Sequence, residues 1–195
     1  MAPQVILLEL GLEFETALAQ VGNFGTEFLD VNPKGRVPVL AIDSEIITEM
    51  PAILTAISLL RPDQHLLGRN DLETARVYEW LNYLSGTFHG QGYGALWRPE
   101  RFVNDPNLYR QIQEKGMQTI KQCYDLIESK LGSDKRPFAV GNSFTVVDPF
   151  LLVLFLWGER IKINMTTEYP VFTKWAHTLL KRESVCRARD LHFKL

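Results

Sequence analysis

The chain has 195 residues, 46% of them hydrophobic and 23% charged, which is ordinary globular usage and excludes disordered, collagen-like and low-complexity classes. Lys plus Arg total 21 against 23 Asp plus Glu, a net charge of −2, so no overall field draws the protein to nucleic acid or to an anionic membrane. The length suits one large domain or two small ones. Cys123 and Cys186 are too few for a disulfide framework, and no Cys/His spacing reads as a metal site. Both read as structural, and a reducing, cytoplasmic setting is expected.

Met1 to Glu9 lacks the basic flank of a signal peptide. Val5 to Leu10 is apolar and stops at Gly11, as a helix does. Glu13 to Asp30, broken by Gly22, Asn23 and Gly25, reads as loop with room for one strand. Gly35 to Ile42 is short and β-branched; Asp43-Ser44 turns it into Glu45-Ile46-Ile47, a hairpin pattern. A helix opens near Thr48 or Glu49, with Pro51 in its first turn and Ile53, Ile57 and Leu60 in phase, and ends at Arg61-Pro62-Asp63. Gln64 to Asp71 reads as a linker. Beyond it the spacing predicts helices over Leu72 to about Ala95, Leu108 to Leu131, Val146 to about Trp157 and Phe172 to Lys181. The most apolar run, Pro149 to Gly158, is too short to span a bilayer. The expected architecture is α+β: a small α/β domain over 1–64 and an all-helical domain over 70–195.

Two short motifs carry chemistry. In Asn32-Pro33-Lys34-Gly35-Arg36-Val37-Pro38-Val39-Leu40, a proline inside a β-branched run marks a sheet edge or a special turn. If the Val37–Pro38 bond is cis, the Val37 N–H and C=O turn outward and can pair with an extended peptide; the plainer reading is a structural edge proline. In Thr48-Glu49-Met50-Pro51-Ala52-Ile53, a strand feeds a helix start whose free amides suit an anion. Glu49, at the same point, suits an ammonium group, or simply caps the helix. Carboxylate on amides and ammonium on Glu49 together complement an α-amino-acid head group.

Separated by one hairpin, these motifs resemble the glutathione site of the glutathione S-transferase family: V-P-x-L, then an acid and a small polar residue opening a helix. The resemblance implies a thioredoxin-like N-terminal domain, an all-helical C-terminal domain and glutathione as co-substrate. It implies that Val37 and Pro38 meet the cysteinyl backbone, that Glu49 and the Met50 amide hold the γ-glutamyl head, and that Arg36 adds a polar contact. Met50 stands where a serine is usual, and the lost hydroxyl weakens binding by about 1 kcal/mol. The chain begins within what resembles the family's first helix, so the small domain is expected to be truncated, without the first strand or the thiol-activating Tyr, Ser or Cys.

Gly141 to Asp148 resembles the family's capping box, with Thr145 and Asp148 reciprocally bonded. Glu79 to His89 resembles the first C-terminal helix of bacterial beta-class members, which places Asn82 and His89 near the glutathione thiol or across a homodimer interface. Helical spacing puts Ser85 and Tyr93 on the same stripe. His89, Asn82 and Ser85 are therefore the catalytic candidates, with Tyr83, Phe88, Tyr93 and Trp97 against a small hydrophobic electrophile; a merely solvated polar stripe is the plainer reading. The N-terminal amine and the amides near Ala2 are further candidate donors to the thiol. Conjugation and reversible thiol addition, which isomerises a trans/cis double bond, both fit. The second kind occurs in fungal pathways on natural-product intermediates. The alternative is a non-catalytic interaction or ligand-binding module.

Overall fold

Pro3 lies in the first turn of α1 (Ala2–Glu9), where no partner is needed for its missing N–H, in the computed structural model, which describes residues 1–19, 24–133 and 136–193. Gly11, at φ 62°, closes this helix: its N–H reaches the Leu8 carbonyl at 3.1 Å and the Leu12 N–H reaches Leu7 at 2.9 Å. The stretch expected as loop or strand instead contains α2 (Thr26–Val31). Phe24, just before its N-cap Gly25, stacks on Phe28 at 4.6 Å and staples the helix start. Gly22 and Asn23 of the same stretch lie outside the described residues.

The hairpin forms as expected. Strands β1 (Val39–Ile42) and β2 (Glu45–Thr48) pair antiparallel with Ile42 opposite Glu45, and among the described residues they make up the sheet. Asp43 takes φ 52° in the turn, a conformation Asp tolerates. The helix α3 (Met50–Leu59) buries Ile53, Leu54 and Ile57 and packs against α1.

The rest is helical. Asn70 caps α4 (Asp71–Asn82) by accepting the Glu73 N–H at 3.0 Å, and the Glu73 carboxylate accepts the Arg69 N–H in return. The axis continues through a π-helix (Tyr83–Tyr93) into α5 (Gly94–Trp97). Antiparallel to it runs α6 (Tyr109–Ser133), then the core helix α7 (Val147–Arg160), with α8 (Met165–Glu168) and α9 (Pro170–Leu179) beyond. Glu128 of α6 caps α9 from outside, its two carboxylate oxygens each 2.8 Å from the Val171 and Phe172 amides. A last helix, α10 (Glu183–Phe193), was not expected from the spacing; it packs on α1.

The capping box before α7 differs from its expected form. Thr145 accepts no side-chain cap bond; its N–H and hydroxyl both donate to Asp148, at 2.7 and 3.1 Å, and the Ala139 N–H adds a third bond at 2.9 Å. The Asp148 carboxyl is thus the hub of the turn, with no solvent exposure. Burial pushes its pKa up to about 6 despite these donors and the nearby Arg182 charge.

Candidate functional site

The segment before β1 is shaped by a buried asparagine. Asn32, 1% exposed, donates from its amide to the Arg36 carbonyl at 2.6 Å and accepts the Lys34 N–H at 3.3 Å. Gly35 supplies the positive φ, 57°, that the reversal needs. This presents Arg36 and Val37 outward, Val37 at 41% exposed, and the Val37–Pro38 bond is cis.

Across the hairpin, Glu49 has φ 70° and ψ 125°, a conformation that a side chain bearing Cβ rarely adopts and that costs about 1–3 kcal/mol. Such a backbone ends β2 abruptly and starts α3 in the next residue. The first turn keeps the Met50 and Ala52 amides open: Pro51 has no N–H, Ile53 is taken by the Glu49 carbonyl at 2.9 Å, and no side chain caps the helix. Glu49 is therefore not a cap. Its carboxylate holds the Lys34 ammonium at 2.7 Å, and Lys34 also donates to the Thr48 hydroxyl at 2.6 Å.

The facing surface comes from the π-helix. A π-helix closes i→i+5 hydrogen bonds and holds roughly 4.4 residues per turn, against 3.6 in an α-helix. Leu84, Phe88, Gly92 and Tyr93 are buried, and the large side chains among them, Leu84, Phe88 and Tyr93, follow that longer period in steps of four and five. His89 lies on the other side and is exposed at its edge. Burial of the ring, then the charges of Arg101 and Arg36, lower its pKa from 6.5, while Glu49 opposes them. A neutral imidazole at pH 7 follows. These couplings also bring Arg36 and Glu49 of the small unit into the electrostatic reach of His89.

A ring wall continues from His89. Trp157 of α7 lies 5.6 Å from it, Trp97 lies 4.8 Å from Trp157, and the Arg160 guanidinium sits 5.7 Å over the Trp97 ring. Trp97 is 37% exposed.

Of the candidate residues, Arg36, Val37, Pro38, Glu49 and Met50 cluster around the hairpin, and His89 and Trp97 face outward as the stripe requires. Asn82 is exposed and spends its amide on the Tyr78 carbonyl at 2.8 Å; Ser85 is half-buried. Two expected electrophile contacts are corrected. Phe88, 0% exposed, and Tyr93, 1% exposed, are core residues. The π-turn rotates Tyr93 inward, where its hydroxyl meets Tyr124 at 2.7 Å and Tyr124 donates to the Leu154 carbonyl at 2.5 Å. Tyr83 is half-buried, and its burial, then its hydrogen bond with Cys123 of α6, raises its pKa strongly. Trp157, Arg101, Arg160, Lys34 and Asn32 were not anticipated; Lys34 reaches Glu49 across the whole hairpin, and no local pattern signals that.

A cavity of about 470 Å³ between Leu131, Phe138, Trp175 and Arg182 shares no residue with this cleft. Among the described residues, no group of three His, Cys, Asp or Glu side chains could hold a metal ion, and no helix is long and apolar enough to cross a membrane.

Comparison with known proteins bears on both units. The family model "Glutathione S-transferase, N-terminal domain" matches residues 3–58, and "Glutathione S-transferase, C-terminal domain" matches residues 100–183. Glutathione S-transferase GstA of Escherichia coli O157:H7 is 29% identical over 143 residues, 72% of this chain and 66% of that protein. A sphingomonad glutathione S-transferase complexed with glutathione superposes with a TM-score of 0.81 at 29% identity, over 96% of this chain and 90% of its own. A Sulfitobacter glutathione transferase homologue with bound glutathione reaches 0.89 at 24% identity, over 98% and 92%, a likeness of fold.

Proposed function

This chain belongs to the glutathione S-transferase family, and on that premise we propose that it binds glutathione between Val37, Glu49 and the His89 face and transfers it to a small hydrophobic electrophile. Residues 1–64 serve as the thioredoxin-like, glutathione-holding domain and 70–195 as the helical one. The observation that carries the reading is the geometry around the hairpin: Val37 is exposed just before β1, and across the hairpin the Glu49 carboxylate stands at the start of α3 beside the open Met50 and Ala52 amides. The glutathione complex of the sphingomonad relative supports the choice of thiol.

The open Met50 and Ala52 amides receive the γ-glutamyl carboxylate and Glu49 its ammonium, displacing Lys34. The Val37 main chain pairs with the cysteinyl backbone. A free thiol is mostly protonated at neutral pH. Arg36 and Arg101 favour the thiolate, and the neutral His89 ring, with Asn82 and Ser85 earlier on the same helical rod, offers it hydrogen-bond donors. The thiol proton passes to solvent. The sulfur pair then forms a C–S bond at the β-carbon of an activated alkene, the π pair moves to the conjugated carbonyl oxygen, and a proton returned to the α-carbon completes the conjugate. If the adduct rotates and the C–S bond breaks first, the thiolate leaves and the alkene is isomerised. Product analysis separates the two. A cytoplasmic homodimer is the assembly this reading takes.

A second reading, a glutathione-fold module without turnover, is favoured by Lys34, which already fills the Glu49 clamp. Calorimetric titration with glutathione tests both. Millimolar or tighter binding is expected, weakened about 3- to 10-fold in Glu49→Gln, with conjugation of an activated alkene lost about tenfold or more in His89→Ala. Absence of glutathione binding removes the transfer reading and leaves an interaction module; binding without turnover on any activated alkene leaves a glutathione-binding module.

A further inference from the structure

We infer that the wall of His89, Trp157 and Trp97, edged by Arg160 and Arg101, selects a flat, conjugated electrophile that carries a carboxylate on the end remote from the reacting carbon. This inference rests on the cleft assignment above and adds the chemical class of the second substrate.

The rings set the shape. His89 and Trp157 lie 5.6 Å apart at 39°, Trp157 and Trp97 4.8 Å apart at 65°. Tyr93 braces both tryptophans from the core side, 4.7 Å from Trp97 and 5.1 Å from Trp157, and its own hydroxyl is spent on Tyr124. The tryptophans are thereby held from behind, and the surface they offer is apolar π-face. A planar π-system stacks there at little conformational cost, while a branched aliphatic body meets a wall that cannot reshape around it. Phe102, largely exposed beside Gly94, extends the apolar surface at the end of α5.

The charges set the sign. The Arg160 guanidinium sits over the Trp97 ring, 5.7 Å from its centroid, and its N–H groups are placed to meet an acceptor at that end of the wall. The Arg101 and Arg36 charges are both felt at His89, where, after burial, they lower its pKa. The acid in the same neighbourhood, Glu49, is already matched by Lys34. A guest carboxylate reaching past the rings toward Arg160 gains a charge-assisted, two-toothed hydrogen bond at a partly desolvated edge. A neutral guest of the same outline leaves that guanidinium unanswered. The thiolate, nearer His89, addresses the opposite end of the guest.

The test uses 4-(3-oxobut-1-enyl)benzoate and its methyl ester, an anionic and a neutral enone of one outline. Binding is followed without glutathione by quenching of tryptophan fluorescence, and turnover with glutathione is divided by the uncatalysed rate. The benzoate is expected to bind about tenfold more tightly than the ester, with the same order in the normalised kcat/KM. Arg160→Gln and Arg101→Gln, both at exposed positions that leave the core intact, are each expected to collapse this ratio severalfold. Trp157→Phe is expected to remove most of the quench. Equal or tighter binding of the ester, or a ratio unchanged in both arginine variants, overturns the inference even if glutathione binds and conjugates normally. Selective benzoate binding with no heat from glutathione sustains it and overturns the cleft assignment instead.

Discussion

At the residue scale, Asp148 shows how a side chain can be placed correctly while part of its bonding stays hidden: it reaches back to the Thr145 N–H as expected, but it also accepts the Thr145 hydroxyl and a third donor. The spacing Thr145-x-x-Asp148 announced a helix start, and α7 does begin there. The third bond was not legible, because its donor, the Ala139 N–H, arrives from a turn nine residues earlier. The consequence is measurable. The native carboxyl holds its proton up to about pH 6, whereas in the unfolded chain it is released near 3.8. Between those values the native state binds more protons, so this group's contribution to stability is full below about pH 4 and falls as pH rises to 6. Asp148→Asn removes the titration and turns an amide N–H against a backbone donor. It should cost about 1–3 kcal/mol by urea denaturation, and the cost should be larger at pH 4 than at pH 7. A cost that grows with pH would mean that the donors, not burial, govern the group. Glu49 is the reverse case: its place at a strand-to-helix junction was legible, but Lys34 as its present partner was not, since nothing local in the sequence says that a loop lysine folds back over 15 residues.

At the scale of elements, the hairpin, α3, α6, α7 and α9 followed from local pattern, because each carries its own turn residues or its own apolar stripe. The π-helix did not. An α-helical period places Tyr93 with His89; the actual period places it with Phe88, and the two assignments exchange a core residue for a site residue. Four glycines between 86 and 94 were the local sign that this stretch is not an ordinary helix. A further glycine, Gly116 of α6, explains how closely the two approach. A Cβ added at Gly116 would lie 2.8 Å from the Gly92 carbonyl oxygen and 2.8 Å from the Leu96 nitrogen, both backbone. Gly116→Ala should therefore destabilise by about 1–3 kcal/mol although alanine is the better helix former. Gly132→Ala, in the same helix with only a van der Waals neighbour at 3.9 Å, should gain up to about 1 kcal/mol. Thermal melts of the two variants shifting in the same direction would refute the close-packing argument.

At the scale of the whole molecule, the two ends of the described chain are tied together. Glu9, closing α1, accepts from the Arg182 guanidinium and, at 2.6 Å, from the Ser184 hydroxyl that opens α10; Arg182 lies 4.3 Å over the Phe144 ring. These partners are more than 170 residues apart, so no periodicity could reveal them, whereas the division into a mixed and a helical part was visible in the local spacing of apolar and turn residues. Glu9→Ala should lower stability by about 1–3 kcal/mol, and hydrogen exchange should show the loss concentrated in α1, α3 and the hairpin. Uniform loss across α6 and α7 as well would show that the tie is not specific to the small unit. The π-helix has its own effect at this scale. Its surplus residue per turn works as an azimuth dial: removing one residue between 83 and 93 and letting the stretch relax to the common pitch leaves both ends of the rod nearly in place. Every side group beyond the cut swings by roughly a quarter of a revolution. Length variation in this stretch would thus re-aim the imidazole and the indole behind it while leaving the scaffold's outline intact.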